Sequence, residues 1–128
     1  MAVLLDTHAV IWWWLDSPRL GPEARRVISA GDDPVFVSAV SGIEIAIKFR
    51  IGKLTEFGDP ENRFPTLMAE NQFTGLDVTT AHALRAGLMP GEHRDPFDRL
   101  IAAQALSEDL AVVTRDPVFA AFGCKTVW

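Results

Sequence analysis

Short apolar runs recur along this chain, each closed by polar or turn-forming residues. Ala2-Val3-Leu4-Leu5, Val35-Phe36-Val37 and Leu110-Ala111-Val112-Val113-Thr114 are continuous rather than alternating, the pattern of strands covered on both faces of a parallel sheet. Gly75-Leu76-Asp77-Val78 and an edge candidate, Lys125-Thr126-Val127, are shorter signals of the same kind. Helical spacing fills the intervals. It predicts a helix from Ala9 to Leu15, stopped by Asp16-Ser17-Pro18, and another begun by Gly21-Pro22-Glu23 and running to about Ala30. A third, capped by Ser38, spans Ala39 to about Ile51 and is closed by Gly52. Residues 52–62 read as a loop, Arg63 to Phe73 as a helix, Thr80 to Leu88 as a helix capped by Thr79, and Val118 to Phe122 as a short one.

The best-marked helix opens at Asp95. Asp95-Pro96 is an N-cap with proline at the first helical position, and Asp98 falls at the capping-box position. Phe97, Leu100, Ile101 and Gln104 share one face, so that face should pack into a core with the acidic first turn at its rim. Strands alternating with helices imply an α/β fold with a parallel sheet and right-handed crossovers. Ligands of such sheets sit beyond the carboxyl ends of the strands, where strand order reverses. Asp6 and Asp116 both follow strands in this way.

Length and composition narrow the picture. The 128 residues suit one domain, 1–128, with 48% hydrophobic and 23% charged residues. Seventeen acidic against 12 basic residues give a formal charge of -5, which argues against gripping nucleic acid by bulk charge. The single Cys124 excludes an intramolecular disulfide and a zinc site built on several cysteines; it suits a reducing cytoplasm and reads as a small buried hydrophobe. Residues 2–15 are apolar, yet Asp6 and His8 interrupt them and no basic segment precedes them, so they are not read as a signal peptide. No other run is long enough to span a bilayer. Trp12, Trp13 and Trp14 fan through about 200° of a helix, which should leave at least one exposed.

The carboxylates carry the candidate chemistry. If the strands preceding Asp6 and Asp116 are neighbours, those two side chains are close, and Asp98 joins them only if the fold brings its helix there. Each has an ordinary alternative. Asp98 could simply complement a helix dipole. Glu44, beside the apolar stripe Val40, Ile43, Ile47 and Ile51, could pair with Lys48 at i+4. Clustered, however, carboxylates repel by at most roughly 3 kcal/mol per pair at 5 Å and an effective dielectric near 20, so a cluster needs a cation. All-oxygen ligands call for a hard one, Mg²⁺ or Mn²⁺, and phosphodiester hydrolysis is the chemistry that suits it.

Leu4-Leu5-Asp6-Thr7-His8, Ser38-Ala39-Val40-Ser41 with Glu44-Ile45-Ala46-Ile47-Lys48, Gly52-Lys53-Leu54, Asp95 through Ala105 (DPFDRLIAAQA), and Thr114-Arg115-Asp116 together resemble the PIN-domain family, specifically the VapC-type ribonuclease toxins of toxin–antitoxin pairs. The resemblance covers nearly the whole chain, in order. It implies a three-layer α/β/α fold with a central parallel sheet of about five strands. It makes Asp6, Glu44, Asp98 and Asp116 the metal-binding and catalytic quartet, Asp95 an accessory carboxylate and Thr114 an orienting residue. It further implies an Mg²⁺- or Mn²⁺-dependent endoribonuclease acting on RNA, commonly a homodimer, restrained by a small cognate antitoxin. One departure is Ile43, where many relatives carry Trp before the Glu.

Lys48, Arg94, Arg99 and Arg115 flank the carboxylates and are candidates for RNA phosphate contacts. His8 and His93 adjoin the same motifs without an assigned role. The tryptophans suggest a groove for an amphipathic antitoxin segment, which would push a basic side chain toward the carboxylates. Two rival readings remain: a PIN-like binding module without catalysis, and a receiver-type signalling domain. The receiver predicts an acidic pair after the first strand and a phosphoacceptor Asp after the third. Here Asp6 is followed by Thr7, and Val37 by Ser38.

Overall fold

Strands of three or four residues, rich in Val and Leu, form the centre of the computed structural model, which describes residues 1–128. In chain order the elements are β1 (Val3–Leu5), α1 (Thr7–Trp14), α2 (Pro22–Ser29), β2 (Val35–Ser38), α3 (Ala39–Arg50), α4 (Pro60–Glu70), β3 (Thr74–Leu76), α5 (Thr80–Leu88), α6 (Pro96–Glu108), β4 (Ala111–Val113), α7 (Pro117–Ala121) and β5 (Thr126–Val127). The five strands are all parallel, in the order β3-β2-β1-β4-β5. Leu5 lies level with Val37 on one side and with Val113 on the other. The three central strands therefore end together, and their succeeding residues share one edge.

Alternation along the strands splits the core in two. Val3, Leu5, Val35, Val37, Ala111 and Val113 face a cluster that includes Val10, Ala24, Ile28, Ile45 and Leu67, from α1 to α4. Leu4 and Val112 face the opposite way, onto Ile101, Ala102, Ala105 and Phe119 from α6 and α7. Each fully buried Leu or Ile contributes about 1.5–3 kcal/mol, so both helical layers are held by the same short strands. Small residues at 102, 103 and 105 let α6 lie close against the sheet, and α5 packs outside it. This is the three-layer arrangement expected. The order 3-2-1-4-5 also excludes a receiver, whose sheet runs 2-1-3-4-5.

Several details differ from the sequence reading, among them two helix starts. Helix α1 begins at Thr7 rather than Ala9, because the Asp6 carboxylate accepts the Ala9 N–H at 2.7 Å and caps it. Helix α4 begins at Pro60 rather than Arg63, since Asp59-Pro60 repeats the cap-and-proline signature inside a stretch read as loop. It ends at Glu70, and Gln72 at φ 57° turns the chain into β3. None of the three tryptophans is exposed. Trp14 packs on Phe57, Phe64 and Phe73, Trp13 donates to Asn71 Oδ1 at 3.0 Å, and Trp12 meets Trp128 edge-on. Aromatic partners distant in sequence cover part of each ring and leave all three half-buried. Cys124 is buried, and no helix is long and apolar enough to cross a membrane.

Candidate active site

Strand order reverses between β1 and β4, and three helix N-termini converge on that edge. Asp6 follows β1 and caps α1, while Asp116 caps α7 after β4 by accepting the Val118 N–H at 3.0 Å. Asp95 caps α6, accepting from the N–H groups of Phe97 at 2.9 Å and Asp98 at 3.4 Å. Caps put carboxylates where helix dipoles favour negative charge. Asp98 does not complete a capping box. Its Oδ2 lies 2.9 Å from Nε2 of His93 instead, which frees it from a purely helical role.

Glu44 reaches the same edge from α3. Lys48 does not pair with it; the partner is Thr7, whose hydroxyl donates to Oε1 at 2.6 Å and lies 3.0 Å from the Ser41 hydroxyl. Thr114, buried, accepts the Asp116 N–H at 3.0 Å and sets the bend after β4. Neither Thr7 nor Ser41 is singled out by sequence reasoning as a functional residue. The position of Thr7 directly after Asp6 was the available signal.

The electrostatics tie the carboxylates together. Burial, with smaller contributions from Asp98 and Asp116, raises the Asp6 pKa to about 6 against the pull of Thr114 and the Ala9 N–H. Glu44 is raised by burial and by Asp98 and Asp95, opposed by its Thr7 hydrogen bond and Lys48. Asp98 is raised by burial and by Asp95 and Asp116, opposed by His93. Asp98 thus sits among the others. No Lys or Arg forms an ion pair with Asp6, Glu44, Asp98 or Asp116. The side chains do not, however, close on one point. The trio whose ligand atoms all lie within 4.8 Å of one another is His93, Asp95 and Asp98, not any three of the quartet.

Desolvated carboxylates facing one another without a Lys or Arg ion pair fit a bound cation, and an oxygen donor set fits a hard divalent one. The neighbouring basic residues differ in availability. Arg115 stands over the Trp12 ring, 4.6 Å from its centroid, and lines a cavity of about 480 Å³ with Asp6, His8 and Asp116. Arg94 is exposed beside His93. Arg99 departs from its expected role: its guanidinium donates to the carbonyls of Ala86, Met89 and His93, holding the turn before α6 rather than facing substrate.

Known proteins resemble this arrangement. The family model described as PIN domain matches residues 3–123. Ribonuclease VapC22 of Mycobacterium tuberculosis is 31% identical over 115 residues, covering 89% of this chain and 86% of that protein. Among solved structures, VapBC2 from Rickettsia felis bound to a promoter DNA fragment superposes with a TM-score of 0.71 at 14% identity over the whole of both chains. DNA-bound VapBC from Salmonella typhimurium gives 0.70 at 20% identity, over 98% of this chain and 96% of that one. At those identities the structural likeness is one of fold. The family match and the 31% identical relative go further: this chain belongs to the PIN domain family.

Proposed function

We propose that this chain is a divalent-metal-dependent endoribonuclease, the toxin of a toxin–antitoxin pair acting in the cytoplasm. The observation that carries the reading is the group of desolvated carboxylates, Asp6, Glu44 and Asp98, at the strand-order reversal with no Lys or Arg ion-paired to them. Asp6, Glu44, Asp98 and Asp116 would hold the ion, Mg²⁺ or Mn²⁺, with Asp95 at its margin. Such an ion supplies Lewis acidity toward water and a phosphoryl oxygen. The protein's residues do the positioning. Asp6 is held at the buried floor by its cap to α1, Thr7 aims Glu44, Thr114 sets Asp116, and His93 restrains Asp98. Arg115, Lys48 and Arg94 are free to meet phosphates at the rim.

The relative named ribonuclease and the toxin–antitoxin complexes of the same fold support this assignment. An antitoxin segment and a second copy of the chain both need apolar surface. Exposed Ile43, Phe49 and Ile51 on and after α3 offer it, as do Leu84 and Leu88 on α5. Incubating purified protein with total RNA and Mg²⁺ or Mn²⁺, then mapping the cleavage ends, tests the activity. Metal-dependent cuts absent from Asp116→Asn are expected. Binding of RNA without any cutting would instead favour a non-catalytic module.

A further inference from the structure

The cavity over Asp6 and Asp116 does not end at the carboxylates. Its wall of His8, Trp12 and Arg19 is shared with a second cavity of about 460 Å³, also lined by Lys48, Lys53 and Glu56. The two open spaces therefore adjoin across one ridge. Arg115 stands in the first, Lys48 and Lys53 in the second and Arg19 in the wall between them, and none of these four cations forms an ion pair. Elsewhere Arg25 pairs with Asp16, Arg26 with Glu23 and Arg99 with three carbonyls, while Arg50, Arg63, Arg94 and Lys125 form no ion pair but line neither cavity. A chain of charge -5 thus lines one path leading from its carboxylates with four cations free of ion pairs, with Glu56 the one further carboxylate beyond the ridge. The ridge is aromatic. His8 is exposed and stacks on Trp12 with centroids 5.2 Å apart, while Arg115 stands over the same indole.

We infer that a single-stranded stretch of RNA lies along this path. It runs from the Asp6–Asp116 cavity over the His8–Trp12 ridge, with phosphates met by Arg115 before the ridge, by Arg19 beside it and by Lys48 and Lys53 beyond it. Cations alternating with an aromatic platform are what a flexible polynucleotide needs: phosphates between cations and a base against the ring. A duplex cannot follow, because its bases are paired inward and its rigid backbone cannot drop into two hollows on either side of a ridge. The inference rests on the ribonuclease reading and adds Arg19, Lys53 and His8 to it.

The test uses a fluorescein-labelled, mixed-sequence 10-nucleotide RNA in EDTA, followed by anisotropy across a salt series. Arg19→Gln and Lys53→Gln are compared with Arg26→Gln and Lys125→Gln, which change charge equally away from the path. Each path variant should weaken binding about 3- to 10-fold at low salt. The double variant should flatten the slope of log K against log salt by about 1.4, at about 0.7 for each phosphate no longer neutralised. The controls should stay within about twofold of wild type. Path variants indistinguishable from the controls would overturn the inference, as would a blunt duplex of the same sequence binding as tightly as the single strand. Parallel cleavage assays with Mg²⁺ separate the two readings. If wild type cuts RNA and binding ignores Arg19 and Lys53, the path is wrong and the nuclease stands. If binding depends on both residues but no RNA is cut, the path stands and the nuclease falls. Wild type that neither binds nor cuts RNA removes both.

Discussion

Asp6 and Asp98 are carboxylates that the fold makes costly to ionise, and both signs can be checked. The folded-state pKa of Asp6 stands at about 6, above its ordinary value of 3.8. A raised acid contributes stability that is fully present below the unfolded pKa and lost as pH rises through the folded one. Without metal, stability should therefore fall between about pH 4 and pH 6, by at most about 3 kcal/mol at about 1.36 kcal/mol per pH unit. Thermal melts in EDTA should show this loss, Asp6→Asn should flatten it, and excess Mg²⁺ should offset it by binding the native state. Asp98 is raised as well, chiefly by burial, so Asp98→Asn should melt higher than wild type in EDTA at about pH 7.5. Its melting point should respond much less to Mg²⁺, and RNA cleavage should drop sharply. A helix-start residue with no part in the site would do the reverse: the mutant would melt lower, by a few tenths to about 1 kcal/mol, and keep both the Mg²⁺ response and the cutting.

Helix α6 connects these side chains to the sheet through Gln104. This residue is fully buried; its Oε1 accepts from the Ser38 hydroxyl at 2.6 Å, and its amide donates to the carbonyls of Leu76 and Asp77 at 3.4 and 3.3 Å. One side chain thus joins α6 to the ends of β2 and β3. Gln104→Leu keeps the volume but leaves a buried hydroxyl and two carbonyls without their partner. It should cost about 1–3 kcal/mol, read as a lower denaturant midpoint with an unchanged slope. A neutral outcome would mean that water or a shifted Ser38 takes over the bonds. His82 does similar work between α5 and α6. Its Nδ1 accepts the Thr79 N–H at 3.1 Å, so its Nε2 carries the proton that faces Glu108 Oε1 at 2.8 Å.

Across the whole molecule, Trp128, directly after β5, ties that strand to α1 and to the start of α2. Trp128 lies against Gly21 and edge-on to Trp12. A Cβ at position 21 would meet the Trp128 indole at 2.6 Å and its main chain at 2.7 Å. Gly21→Ala should therefore cost about 1–3 kcal/mol through overpacking, despite a backbone that any residue adopts. Trp128→Ala alone should destabilise too, and the double mutant should recover the part of the alanine's cost that comes from the indole, the main-chain contact remaining, a coupling that a double-mutant cycle reads directly. Additive effects would rule out the clash with the indole. Because Trp12 also borders the proposed RNA path, loosening this corner should weaken RNA binding along with stability.

Local chemistry settled much of this protein without help from the fold. Continuous Val, Leu and Ala runs mark buried parallel strands. Asp-Pro pairs start helices, and motifs spread over the whole chain point to the PIN fold, because each depends on residues adjacent in sequence. The contacts that make the site depend on residues far apart. Asp6 and Asp116 come together because β1 and β4 are neighbours, a choice of strand order that no local pattern encodes. Glu44 takes Thr7 rather than Lys48 because α1 and α3 pack together; helical spacing alone offers only the i+4 partner. Arg99 turns inward to three carbonyls, and the tryptophans are covered by Phe57, Phe64, Phe73 and Trp128, for the same reason. Spacing along a chain limits which side chains share a face, whereas burial, hydrogen-bond partner and pKa depend on what another segment brings against that face.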